Sequence, residues 1–409
     1  MLMVSCDRCH LFPQLAKCLQ AIKVLTHVCA CAEKSAATPF SLLNDCGTQN
    51  MSTSALKRRK PAAPGSPAVP SKKKSNRKLE KLSPIMIYLR ANYSIIAFAL
   101  LSTLFVAAKS GLFPGATGYV EMKHQWPATG EYVTGPQDLK FVVGLVLFLL
   151  IARWGVCSLI FKPLAQYAVP GMKPELEFKY TDMGWQLVWY TGSWVASVYF
   201  LYERTGFDLE KCWQFQNYPD NSNPHLRLSY GFKLFYLTEL AFWLHMILIT
   251  LIEERRKDFP VMMAHHFLTS GLIFSSYYLN MASIGTAVLA EQDFADIFLP
   301  LAKLFKYSKC NNLADIVFAF FAVAWIPTRH GLFFYILRSI YNSPQYVTDV
   351  NPYNPAIGGY LSQTTINVFM VVLSLFQCLL LIWLKDIVVA VHKALTSTGN
   401  VEDQRSDSD

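Results

Sequence analysis

The chain has 409 residues, 53% of them hydrophobic, with a mean hydropathy of +0.26 and a formal net charge of +9. An ordinary soluble domain is excluded, because the apolar residues lie in runs long enough to cross a hydrocarbon core of about 30 Å. The charge does not mark a nucleic-acid binder either: ten Lys/Arg fall between Lys57 and Lys81 with Glu80 the only acid, and no folded nucleic-acid module accompanies them.

Six of the ten cysteines lie in the first 46 residues. Cys6-Asp7-Arg8-Cys9-His10 has the form of a haem-attachment motif, but five residues without a cytochrome domain specify little, and Cys29 and Cys31 add no standard zinc spacing. Met51 opens MSTSALKRRK, which reads as a normal start, so residues 1–50 are expected to be poorly folded or not always translated. Lys17 and Lys23 interrupt the apolar stretch there, against a secretory signal. The whole of 1–82 is expected to be a disordered cytosolic tail, with Pro61, Pro64, Pro67 and Pro70 along one edge of a polyproline helix. Its basic run, placed just before the first apolar span, suits a surface of anionic lipid.

Eight apolar runs follow, near 93–109, 141–161, 184–202, 232–252, 261–281, 284–305, 313–337 and 362–385, the third and sixth more polar than the rest. Only helices and closed barrels satisfy their backbone hydrogen bonds in lipid. The predicted fold is therefore an all-α polytopic membrane bundle of about eight transmembrane helices. Residues 83–169 hold the first two helices, 170–393 the remainder, and 394–409 an acidic tail in which Ser406 and Ser408 each precede Asp. Polar loops are expected at 110–140 and 203–231. Lys162, Lys173, Lys179, Arg255–Lys257, Lys306, Lys309, Lys385 and Lys393 all fall on one side of such a bundle, which predicts cytosolic N- and C-termini.

Ionisable residues at membrane depth are costly and point to function. Four cluster here: His265 and His266 on the fifth run, Asp293 and Asp296 on the sixth. Neighbouring helical residues diverge by about 100°, so one histidine is expected to face a substrate while the other supports it. The aspartates, three apart, share a face. His266 lies ten residues after Arg256 and Asp296 ten before Lys306, which puts both about 15 Å inside the boundary. A histidine near a carboxylate serves as general base or nucleophile, and paired carboxylates attract an amine, so the set suits acyl transfer to an amine. Metal binding is disfavoured because adjacent histidines converge poorly on one ion. His245 and His330 read as packed interhelical residues, and Glu239 as a structural partner or a cavity residue.

These segments resemble the ceramide synthases, the sphingosine N-acyltransferase family with the TLC membrane domain. The resemblance rests on RRKDF at 255–259, MMAHHFLT at 262–269, SYYLN at 276–280, IG at 284–285, DFAD at 293–296 and KLFKY at 303–307, in that order. FYLTELAFWLH at 235–245 resembles the preceding family helix, the likeness covers about 170–393, and the arrangement looks like that of fungal members. The resemblance implies an endoplasmic-reticulum enzyme that joins a fatty acyl-CoA to a sphingoid base, with no cofactor and no metal. His265, His266, Asp293 and Asp296 would be its catalytic residues, and Arg255, Arg256 and Lys257 would meet CoA at the cytosolic mouth. A small accessory subunit or a dimer partner is part of that expectation. Family members often carry Arg before the Ile-Gly, where Ser283 stands here, and Gln where His245 stands. The rival readings are a non-catalytic lipid binder or sensor of the same fold, and a metal-dependent lipid hydrolase or hydroxylase.

Overall fold

A computed structural model describes residues 84–111, 113–127, 129–213, 227–253, 258–346, 353–354, 359–360 and 362–396. The N-terminal tail, the C-terminal tail and the basic run Arg255, Arg256 and Lys257 lie outside the described residues. The fold is helical: α1 Pro84–Ser110, α2 Asp138–Ala168, α3 Pro174–Thr205, α4 Tyr230–Ile252, α5 Phe259–Tyr278, α6 Ala282–Asp296, α7 Phe298–Tyr307, α8 Asn311–Ile326, α9 Phe333–Tyr346 and α10 Gln363–Thr396. One antiparallel pairing of two residues each, Tyr353–Asn354 with Gly359–Tyr360, precedes α10.

Every expected apolar run falls on a helix, with α6 and α7 sharing the sixth and α8 and α9 the seventh. Five are long and apolar enough to cross a membrane: α1, α2, α4, Asn311–Pro344 and Gln363–Ala394. The exceptions, α3, α5 and α6–α7, are where buried polar residues concentrate, among them Asp182, Ser193, His265, His266, Gln292 and Asp293. Among the described residues, five of the eight expected crossings therefore have a helix of spanning length and apolarity, and the other three runs are helical without meeting both conditions. These buried polar side chains, together with exposed ones such as Glu175 and Glu203, lower the hydropathy of the three.

Local sequence sets the boundaries. Pro174 opens α3 behind an extended Lys173, with Glu175 and Glu177 in the first turn, and Gly206 closes it at φ 63°. Ser229 caps α4, its hydroxyl accepting from the Phe232 N–H at 3.2 Å. Between α5 and α6 the chain reverses at Asn280, which sits at φ 58° in the left-handed region that Asn tolerates better than most residues. α6 and α7 part at Ile297, because Pro300 offers no N–H to the Asp296 carbonyl four residues back and its ring crowds that oxygen. Pro327 opens the π-helical turn Pro327–Leu332 that joins α8 to α9.

Two buried ionic clasps align α2 with α4. At one end Lys233 Nζ pairs with Asp138 at 2.8 Å, both fully buried, and also donates to the Lys123 and Val133 carbonyls. Tyr277 of α5 donates to the same Asp138 at 2.8 Å. At the other end Arg153 bridges Asp182 of α3 at 2.6 Å and Glu253, just past α4, at 2.9 Å. The clasps come in the same order along both helices, so α2 and α4 run parallel. The loop expected at 110–140 holds a 3-10 turn, Pro114–Ala116, and a helical turn, Thr117–Val120, and the Lys233 bonds pin it to α4. Between the clasps, Trp189 stacks on Phe242 at 4.0 Å with rings 4° apart.

Candidate functional site

The α5–α6 hairpin sets the depth of the site. His265 lies 13 residues before the end of α5, and Asp293 and Asp296 lie 11 and 14 residues after the start of α6. At about 1.5 Å per residue, the three sit some 16–21 Å from the turn, at matching height on antiparallel helices. They open onto one cavity, whose lining is otherwise mostly apolar.

The two histidines part as their spacing requires. His265 lines the cavity. Its ring stacks on Phe376 at 5.5 Å and meets the edges of Trp243 and Trp383 at 5.1 and 5.0 Å, while Nδ1 faces the Thr269 hydroxyl at 3.4 Å. That aromatic box holds the ring plane with little help from hydrogen bonding. His266 does not line the cavity. It packs against Trp243 at 5.7 Å, and neither ring nitrogen finds a hydrogen-bond partner among the described residues.

The aspartates are held by groups other than the histidines. Ser193 of α3 donates to Asp293, and Glu239 of α4 shares that serine. Asp296 pairs with Arg329 at 2.7 Å, and the same guanidinium donates to the Gln292 backbone carbonyl at 2.6 Å and to its side-chain oxygen. Arg329 lies on the π-turn over the Trp325 ring, 4.7 Å from its centroid. Among the described residues no hydrogen bond joins either histidine to either aspartate, so the expected His–Asp contact is not formed. The carboxylates are oriented from α3 and the π-turn instead. The result is a cavity wall that carries two carboxylates, an arginine and a histidine, with Ser193 holding Asp293 from behind.

Sequence reasoning missed Arg329 and Ser193. Arg329 carried a signal, as an arginine in an apolar run behind a proline. Ser193 carried none, since serine is unremarkable in a membrane helix. Glu239, read as a partner or cavity residue, is a partner of Ser193. His245 is fully buried against Trp185 and Phe242, and His330 accepts from Gln377 at 2.5 Å, both in the packing roles expected. The cation expected to be lost at Ser283 is supplied by α3: Arg204 Nε donates to the Ser283 hydroxyl at 2.9 Å and lies over the Phe232 ring.

The same region of the chain is similar to known proteins. The family model described as TLC domain matches residues 179–389, just over half of the chain and all of the site. Sphingosine N-acyltransferase lag1 of Schizosaccharomyces pombe is 29% identical over 333 residues, 80% of this chain and 82% of that protein. ASC1-like protein 3 of Oryza sativa is 30% identical over 289 residues, 67% of this chain and 95% of that protein. Ceramide synthase 5 of Homo sapiens is 32% identical over 238 residues, 58% of this chain and 56% of that protein. The histidine, the two aspartates and the cavity they share therefore stand in a polytopic membrane protein that belongs to the TLC-domain family.

Proposed function

We propose that this chain is a ceramide synthase, an acyltransferase that moves a fatty acyl group from acyl-CoA to the amine of a sphingoid base such as sphinganine or phytosphingosine. The observation that carries the reading is the convergence of His265, Asp293 and Asp296 on one apolar cavity deep in the bundle. Such a cavity accommodates an alkyl chain, each buried CH₂ contributing about 0.8 kcal/mol, and presents a base and anions where that chain ends.

In the reaction, the C–S bond of the thioester breaks and a C–N bond forms, while a proton leaves the amine and the thiol of CoA departs. Asp293, held by Ser193, and Asp296, held by Arg329, attract the incoming ammonium and place its nitrogen. His265 takes the amine proton, or first accepts the acyl group as an acyl-imidazole and then passes it on. Arg329, at the cavity wall, provides positive charge for the oxyanion. His266 holds the His265 helix against Trp243. Arg255, Arg256 and Lys257 would meet the CoA phosphates at the cytosolic mouth. The distribution of basic residues supports both termini in the cytosol, and the resemblance to ceramide synthases is what supports an endoplasmic-reticulum location. A small accessory subunit or a dimer partner completes the proposed assembly.

The test is N-acylation of sphinganine by purified protein with a series of acyl-CoAs, beside His265→Ala and a chelator control. Product formation that survives chelation and is lost in well-folded His265→Ala is the expected result. Wild type that is folded yet makes no product at any chain length, even with accessory subunits present, would favour a lipid-binding role instead.

A further inference from the structure

Two hydrogen bonds between α3 and α6 measure the depth of the cavity. Near the site Ser193 bonds Asp293; farther down Arg204 bonds Ser283 at 2.9 Å. The separation is 11 residues on α3 and 10 on α6, so the two antiparallel helices agree on about 15–16 Å between the levels. That is roughly half of a 30 Å hydrocarbon core, the depth of one leaflet. His265, Asp293, Asp296 and Arg329 line the cavity at the first level, and Met281 and Ile284 line it at the second.

Trp213 lines the cavity at that second level. It follows the 3-10 turn Leu209–Cys212, which comes just after α3 ends at Thr205. The indole is 2% exposed, belongs to the same buried apolar cluster as Met281 and Ile284, and donates from Nε1 to the Ser339 hydroxyl of α9 at 2.8 Å. The large flat side chain is thus latched in the wall of an apolar cavity. Its neighbour Cys212 has no chemistry to offer there, since burial pushes the thiol up to about 12.

We propose that Trp213 is the end stop of this cavity, and that its indole sets the length of the alkyl chain accepted there. The inference rests on the acyltransferase reading and goes beyond it by naming a residue that determines specificity. A chain about one leaflet long fits between the site and the indole; a longer one meets the ring. The alkyl group belongs either to the acyl donor or to the sphingoid base, and the assay separates the two.

The experiment measures kcat/KM for a ladder of acyl-CoAs at fixed base, and for a ladder of sphingoid bases at fixed acyl-CoA. It uses the wild-type full chain, Trp213→Ala, Trp213→Phe and Val288→Phe. The ratio of kcat/KM for a chain two carbons beyond the wild-type optimum to that for the optimum itself does not depend on how much protein is folded. Each further CH₂ that gains a buried place is worth about fourfold, so Trp213→Ala should raise this ratio about 15-fold in one ladder, and Trp213→Phe should raise it less. Val288 lines the cavity between the two levels, so Val288→Phe should shift the optimum to shorter chains in that same ladder. Should Trp213→Ala fail to fold, Trp213→Phe and Val288→Phe decide the matter. The ladder that moves identifies the substrate whose chain occupies the cavity. Length profiles unchanged in both ladders, in active variants, would overturn the end stop while leaving the acyltransferase reading intact. Folded wild type without product in either ladder would overturn that reading and this inference together.

Discussion

Removing Asp296 should cost more stability than removing the Arg329 that pairs with it. The reason is an asymmetry in burial: the arginine side chain is 3% exposed, whereas the aspartate is 27% exposed. In Asp296→Ala the guanidinium stays deep in the bundle without its anion. Breaking a buried pair this way costs about 3–5 kcal/mol, and the lower end applies because the two Gln292 oxygens still accept from Arg329. In Arg329→Met the stranded carboxylate faces the cavity it lines and is less enclosed than the guanidinium, and the main loss is at Gln292, about 1–3 kcal/mol for buried acceptors left unmatched. At about 2–4 °C per kcal/mol, Asp296→Ala should lower the Tm by roughly 6–12 °C and Arg329→Met by less. The double variant should fall short of the sum by about 1–3 kcal/mol, the usual coupling of residues in contact. Thermal unfolding in nanodiscs, followed by intrinsic tryptophan fluorescence, reads all three. An Arg329→Met loss equal to or larger than that of Asp296→Ala would refute the argument, by showing that the contacts of Arg329 with Gln292 and Trp325 outweigh the ion pair.

Three further outcomes follow from the same geometry. His265→Ala should lower kcat by about 10²–10⁴, the usual worth of a general base, with little change in Tm, whereas His266→Ala should act mainly through a lower Tm; turnover assays run beside unfolding curves separate the two. Gly285→Ala would put a Cβ onto the Tyr236 hydroxyl and 3.1 Å from Ser276 Oγ, where those two hydroxyls share a 2.6 Å hydrogen bond. The overpacking should cost about 1–3 kcal/mol, and a Tm equal to wild type would contradict it. Lys233→Met leaves Asp138 fully buried without its cation, at a cost of about 3–5 kcal/mol; adding Asp138→Asn should recover part of the lost Tm, and no recovery would argue against a charge effect.

Much of this molecule was legible along the chain because the bilayer makes strong demands on local sequence. Every apolar run became helix, since a backbone in lipid must satisfy its own hydrogen bonds. Asn280, Pro300 and Pro327 mark a reversal, a break and a π-turn at places that backbone sterics dictate. The divergence of His265 and His266 and the shared face of Asp293 and Asp296 follow from helical periodicity alone, as does their common depth. Periodicity carries no information about which helices become neighbours. The choice of Ser193 and Arg329 as partners for the aspartates, of Arg204 for Ser283, and of Ser339 for the cavity-lining Trp213 depends on side chains 33 to 126 residues apart meeting. Such contacts arise from packing between helices, where small differences in shape and rotation decide the pairing. The sequence by itself therefore determined the helices and the depth of their charged residues. Only the tertiary structure decided which groups hold the carboxylates, and which side chains line the cavity beside them.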